Sequence, residues 1–230
     1  MVEHKASATG VASAQAGARA GIIHHFSRQH LAAARFFRDQ SALIEQHTTE
    51  RPAPQEKQTR HRAFVTGAIM SAVAGLESSI NELFLMAQRK DTTNFPNQEP
   101  RVMELLATLW ESSEGASILD KYQIALVSAN RERFDKGAQP FQDADLVVKL
   151  RNTLVHYKPE LDLEPGPHAK LAKQLSAKFP LNPFNSSSSL WFPHQCLGAG
   201  CASWAVRSAE VLLDEFAQRM NVPSRLPMAT

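Results

Sequence analysis

RHRAFVTGAIMSAVAGLESSINELFLMAQR, residues 60–89, is the longest regular helical pattern in the chain. Ile69, Val73, Leu76, Ile80, Leu83 and Ala87 step by four and three, the repeat of one face of an α-helix. A second stripe of small residues, Ala68, Ala72, Gly75 and Ser79, runs beside it. Small side chains let a neighbour approach closely, so this segment is expected to be the central helix, packed on at least two sides. The seam is also long enough to serve a dimer partner. Glu77 lies one residue off it. A solvated glutamate is the ordinary reading, since Glu is seldom buried without a partner; projection toward a neighbouring helix is the alternative.

The flanking segments keep the same period. From Gly21 to about Gln46, Ile23, Phe26, Ala33, Phe37 and Ile44 form a stripe that includes His30, with His24 and His25 at its start; all three histidines are read as structural. Thr48 to Gln58, with Pro52 and Pro54, breaks the pattern, as does Asp91 to Pro100. Val102, Leu105, Leu106, Leu109 and Trp110, and then Ile118, Leu119, Tyr122, Ile124, Ala125 and Val127, predict two shorter helices. Asn130 to Pro140 reads as a basic loop carrying Arg131, Arg133 and Lys136, and an amphipathic helix follows between Pro140 and Tyr157. Beyond it come an acidic turn (Glu160 to Pro167), a short basic helix (His168 to Phe179) and a loop (Pro180 to Pro193). The last helix runs from about Leu197 to Met220, with Cys201, Trp204, Ala205, Ser208, Val211, Leu212 and Phe216 on its apolar face.

Nothing alternates with period two for long enough to demand a sheet. The expected fold class is therefore all-α, an antiparallel bundle of about five to seven helices. One domain over residues 21–222 is expected, with a loop insertion at 180–196, a disordered Ala/Gly/Ser-rich tail at 1–20 and a C-terminal tail at 223–230.

With 230 residues, 43% of them hydrophobic, the chain can bury one sizeable core. Lys and Arg number 25 against 23 Asp and Glu, so no global field advertises a nucleic-acid or membrane partner. An anionic substrate would have to be drawn by a local patch. Cys196 and Cys201 match neither a disulfide framework nor a zinc-knuckle spacing, and with His194 the nearby ligands stop at three. Both are read as reduced, buried residues, with no metal and no cofactor expected. The first twenty residues lack a signal-peptide core, and no stretch is read as a membrane span, so a soluble, cytoplasmic protein is expected.

The chemistry concentrates in Leu150-Arg151-Asn152-Thr153-Leu154-Val155-His156-Tyr157-Lys158-Pro159. Val147, Leu150, Leu154 and Tyr157 make an apolar seam, and Asp145, Lys149, Asn152 and His156 a polar row, placing Asn152 and His156 one turn apart. Arg151 is about 140° away around the helix and reaches the same pocket only through its long side chain or through unwinding near Pro159. Such a set suits a phosphodiester. An imidazole can take the proton of a ribose 2′-hydroxyl or give one to the leaving 5′-oxygen, and a guanidinium can hold the phosphate through the transition state. Asn152 can orient either group, and no metal is required. One histidine cannot readily be base and acid in a single step; a second copy across a two-fold axis would supply the other.

This stretch resembles the signature of the HEPN superfamily, in which an arginine, usually followed by a polar residue, precedes a histidine by four to six intervening positions. Here four intervene and the polar residue is Asn152. The resemblance implies a helical bundle, a homodimer whose motif helices meet, and metal-independent endoribonuclease activity, toxin- or defence-related, in catalytic members. It makes Arg151, Asn152 and His156 the catalytic set and RNA the substrate, with an antitoxin or a nucleotidyltransferase-like protein as a candidate partner. Leu76-Glu77-Ser78-Ser79-Ile80-Asn81 resembles the family's earlier core helix, where an acidic residue often faces the motif, so Glu77 becomes a supporting residue. Tyr157 and Lys158 complete the supporting set. A toxin subgroup has a modified tyrosine where Lys158 stands here, so that regulation is not carried over. Two other readings stay open: a non-catalytic HEPN-like dimeric binding module, and a plain bundle with a coincidental motif.

Overall fold

In the computed structural model of the chain, residues 25–91, 97–158, 166, 168–185, 189–224 and 226 are described. They form α1 (Ser27–His47), α2 (Gln55–Gln88), α3 (Pro100–Ser113), α4 (Ile118–Ser128), α5 (Phe141–Val155), α6 (Ala169–Leu175) and α7 (Ala199–Met220), with a kinked turn at Trp191–Gln195 before α7, extended at Phe192. No described residue is in a strand, and the all-helical class expected from the periodicity is what the chain adopts.

α2 begins five residues before the expected start because Gln55, Glu56 and Lys57, polar helix formers that carry no seam residue, extend it back to Pro54. Ile69, Val73, Leu76, Ile80, Leu83 and Ala87 are buried, and so is the small-residue stripe Ala68, Ala72, Gly75 and Ser79. Within the stripe α1 comes close at Gly75, where a Cβ would lie 2.7 Å from Leu31 Cδ2. α2 packs on α1, α3, α4, α5 and α7. It also corrects the expectation that no stretch is long and apolar enough for a membrane span, since by length and composition α2 alone among the described helices qualifies. Its Ala, Gly and Ser residues serve close packing instead, and half of its most apolar window is buried in the protein.

Two helices start on carboxylates borrowed from neighbours. Glu82, on α2, accepts hydrogen bonds from the backbone N–H of Phe26 (2.8 Å) and Ser27 (2.9 Å) and from Ser27 Oγ (2.7 Å). This fixes the start of α1 at Ser27 rather than at the expected Gly21, satisfying first-turn donors that Phe26 has no side-chain acceptor to satisfy. His25 sits 3.3 Å from the same carboxylate, which gives that histidine the structural place expected of it. Glu45, on α1, likewise accepts from the N–H of Ala199 at 2.7 Å, where the N-cap residue Gly198 has no side chain. The same oxygen lies 2.7 Å from Nε2 of buried His61. α7 is closed at its other end by Asn221 in the left-handed conformation.

The buried apolar residues of these helices form one cluster, from Leu31 and Val65 through Ile80, Tyr122 and Leu150 to Leu212 and Met220. Cys196 and Cys201 are free and buried in it, and burial pushes the Cys201 thiol well up. Val211 departs from its expected place: it is 44% exposed, so the apolar face of α7 is narrower than its spacing predicts. In the segment expected as a loop insertion, buried Asn182 ties the chain down: its N–H donates to the Gln195 carbonyl (2.7 Å) and its Nδ2 to the Leu197 carbonyl (3.0 Å). The tail at 1–20, His24, and the acidic turn at 160–167 apart from Gly166 lie outside the described residues. Of the C-terminal tail, residues 223, 224 and 226 are described and lie outside any helix.

Candidate functional site

α5 holds the motif. Phe141, Ala144, Leu146, Val147 and Leu150 are buried, and the helix packs on α2, α6 and α7. It stops at Val155, four residues before Pro159. His156 is the C-cap (φ −108°, ψ 39°), its N–H still donating to the Asn152 carbonyl at 2.9 Å. Two expectations change as a result. Tyr157 is not the fourth member of the apolar seam, because the helix has ended before it. The polar row holds as far as Asn152, and His156 continues it only from a non-helical backbone. Both side chains are exposed, and Lys149 in the same row pairs with Asp145 at 2.6 Å.

Arg151 points elsewhere. Its Nη2 lies 3.6 Å from Glu77 Oε2, with the arginine side chain 25% exposed and the glutamate 47%. At that separation the contact is an ion pair rather than a hydrogen bond. Arg151 Nε is buried and has no hydrogen-bond partner. Glu77 combines its two readings: the side chain stays nearly half exposed, and it meets the motif arginine on α5. The structure brings Glu77 and Arg151 together, and Asn152 and His156 one turn apart.

Beyond the cap the chain is held by an aromatic cluster that helical spacing could not reveal. Tyr157 stacks on His168, ring centroids 5.3 Å apart and planes 15° from parallel. His168 is buried, lies 4.9 Å from Phe192 and places its Nε2 3.0 Å from the Lys158 carbonyl. Lys158 is exposed, as are Lys170 and Lys173 on α6, and among the described residues none of the three makes an ion pair.

On the other side of Glu77 is an open concavity of about 470 Å³, lined among others by Asn81, Trp110, Glu114 and Lys121. Lys121 is buried there, donating to Asn81 Oδ1 at 3.0 Å with its ammonium 5.5 Å from the Trp110 ring centre. Helical spacing marks Tyr122, the next residue, for the apolar stripe and carries no sign of Lys121. Among the described residues no group of three or more His, Cys, Asp or Glu is placed to hold a metal ion.

Set against family models, curated proteins and solved structures, the chain matches none. Its functional reading therefore rests on the chemistry of these residues.

Proposed function

We propose that the protein is a metal-independent endoribonuclease of the HEPN type, an antiparallel bundle whose site is shared between the two copies of a homodimer. The observation that carries this reading is the end of α5: an exposed imidazole at His156, one turn from exposed Asn152 and flanked by Lys158, on a helix whose Arg151 is held by Glu77. His156 takes the proton of a ribose 2′-hydroxyl, and the freed oxygen attacks the adjacent phosphorus. The bond from phosphorus to the 5′-oxygen breaks, leaving a 2′,3′-cyclic phosphate, and the same histidine of the second copy gives the leaving oxygen its proton. Asn152 orients the phosphate, and Arg151 stabilises the charge that develops on it once its guanidinium has turned from Glu77 toward the site. A toxin or defence role in the cytoplasm, with an antitoxin or nucleotidyltransferase-like partner, belongs to the same proposal.

One observation favours a second reading, a non-catalytic dimeric binding module. Arg151 is three-quarters covered, paired with Glu77, and carries a buried Nε–H with no acceptor, as a residue that ties α5 to α2 would be. Cleavage of RNA by the purified protein in EDTA separates the two. The nuclease reading expects cyclic-phosphate products that disappear in His156→Ala and Arg151→Ala while the dimer persists. Full activity in His156→Ala overturns it, and a stable dimer that never cuts RNA leaves the binding module.

A further inference from the structure

We infer that Tyr157, backed by His168 and Phe192, is a stacking platform for a nucleotide base beside the scissile phosphate. This rests on the nuclease reading of His156. The geometry begins with the end of α5. Because the helix stops at Val155, Tyr157 leaves the helical path, and its ring lies against His168 instead of the core. The imidazole packs against the ring, yet the residue remains 41% exposed.

Behind the tyrosine the support is rigid. His168 is 7% exposed and Phe192 3%, their centroids 4.9 Å apart, and Phe192 also lies 6.0 Å from Tyr157. The His168 imidazole meets the Lys158 carbonyl at 3.0 Å, so the residue after Tyr157 is tied to the same wall. An exposed aromatic fixed from behind by two buried rings loses little freedom when a flat partner settles on it, which is the requirement for base stacking.

Position assigns the partner. Tyr157 is the residue after His156, with adjacent Cα atoms about 3.8 Å apart, so a ribose whose 2′-hydroxyl meets the imidazole has a neighbouring base within reach of the phenol ring. A base in a duplex has both faces stacked and cannot use the platform, whereas a base in a single strand can be splayed onto it.

The test uses the full-length protein and 2′-O-methyl RNA oligonucleotides, which cannot be cleaved by 2′-oxygen attack, carrying 2-aminopurine at each position in turn. The wild type is expected to quench the fluorophore at one position. Tyr157→Phe is expected to keep that quenching, whereas Tyr157→Leu, which covers His168 but offers no π face, loses it and binds about five- to a hundredfold more weakly. Because Tyr157 lies outside the buried core and is 41% exposed, both variants are expected to stay folded, melting within a few degrees of the wild type. If Tyr157→Leu binds and quenches as the wild type does while His156→Ala still abolishes cleavage of ordinary RNA, the platform is refuted and the nuclease reading stands. If the wild type neither binds nor cuts RNA, both fall together.

Discussion

Replacing Gly75 with alanine places a Cβ 2.7 Å from Leu31 Cδ2 and 2.8 Å from Leu31 Cγ. Two effects oppose each other. Alanine is favoured over glycine inside a helix by about 1 kcal/mol, while forcing a methyl into a filled core costs roughly 1–3 kcal/mol. Leu31 is fully buried, and the contact includes its branch carbon, which cannot turn aside without moving α1. With Leu31 held on both counts the cost falls in the upper part of that range, about 2–3 kcal/mol, so overlap wins with an expected net loss of about 1–2 kcal/mol. In a chain of this size that lowers the melting temperature by about 2–8 °C. Gly67 is the internal control. A Cβ there meets Phe37 Cδ2 at 2.9 Å, but Phe37 is only half-buried, in a ring stack with Phe64, and can swing away. Gly67→Ala is thus expected to be neutral or slightly stabilising. Urea unfolding followed by circular dichroism reads both variants, and Leu31→Val combined with Gly75→Ala should cost less than the sum of the two singles. A Gly75→Ala protein as stable as the wild type, or indistinguishable from Gly67→Ala, refutes the close approach of α1 and α2.

Glu82→Ala strands the N–H groups of Phe26 and Ser27 and the buried Ser27 hydroxyl; a loss of about 2–3 kcal/mol is expected, together with faster amide exchange in the first turn of α1, and unchanged exchange there would contradict the borrowed cap. Asp143, 2.8 Å from Lys178, has its carboxyl held below the usual range: burial works to raise it, and hydrogen bonds from Lys178 and Gln139 outweigh that. Because the folded group titrates below the unfolded one, at about pH 4, its contribution is complete above that value and is lost as pH falls through the folded value. Asp143→Asn should therefore be less stable than the wild type at neutral pH, by about 1 kcal/mol or less for so accessible a pair, with the gap closing in acid; a gap that stays constant down to acid pH speaks against the pairing.

The helices were legible because a period of 3.6 is a local property, and the Ala68, Ala72, Gly75 and Ser79 stripe foretold the close approach of α1 because small size is written in each residue. Contacts between distant segments carry no such trace. Nothing in the sequence ties Glu45 to Ala199 or Glu82 to Ser27, since a glutamate that caps another helix is indistinguishable from one in water until the helices are placed. The candidate site divides the same way. Arg151, Asn152 and His156 stand out by spacing, whereas the turn of Arg151 toward Glu77 depends on how α5 lies on α2. Tyr157 was misplaced because its step of three from Leu154 fits a helix that in fact ends at Val155, and His168 joins it through a contact across ten residues that no periodicity reports.

The two borrowed carboxylates also set an order of dependence. α1 finds its starting acceptor on α2, and α7 finds its own on α1, at a glutamate that also meets His61 of α2. Neither α1 nor α7 brings a side-chain cap of its own, so each is fully terminated only once its neighbour has docked. A peptide spanning α7 alone would fray at its first turn however strong its helical propensity. In the intact chain, loosening α2 releases the starts of both other helices together, so the amide hydrogens at Ser27 and Ala199 should exchange as members of one cooperative unit despite the 172 positions between them.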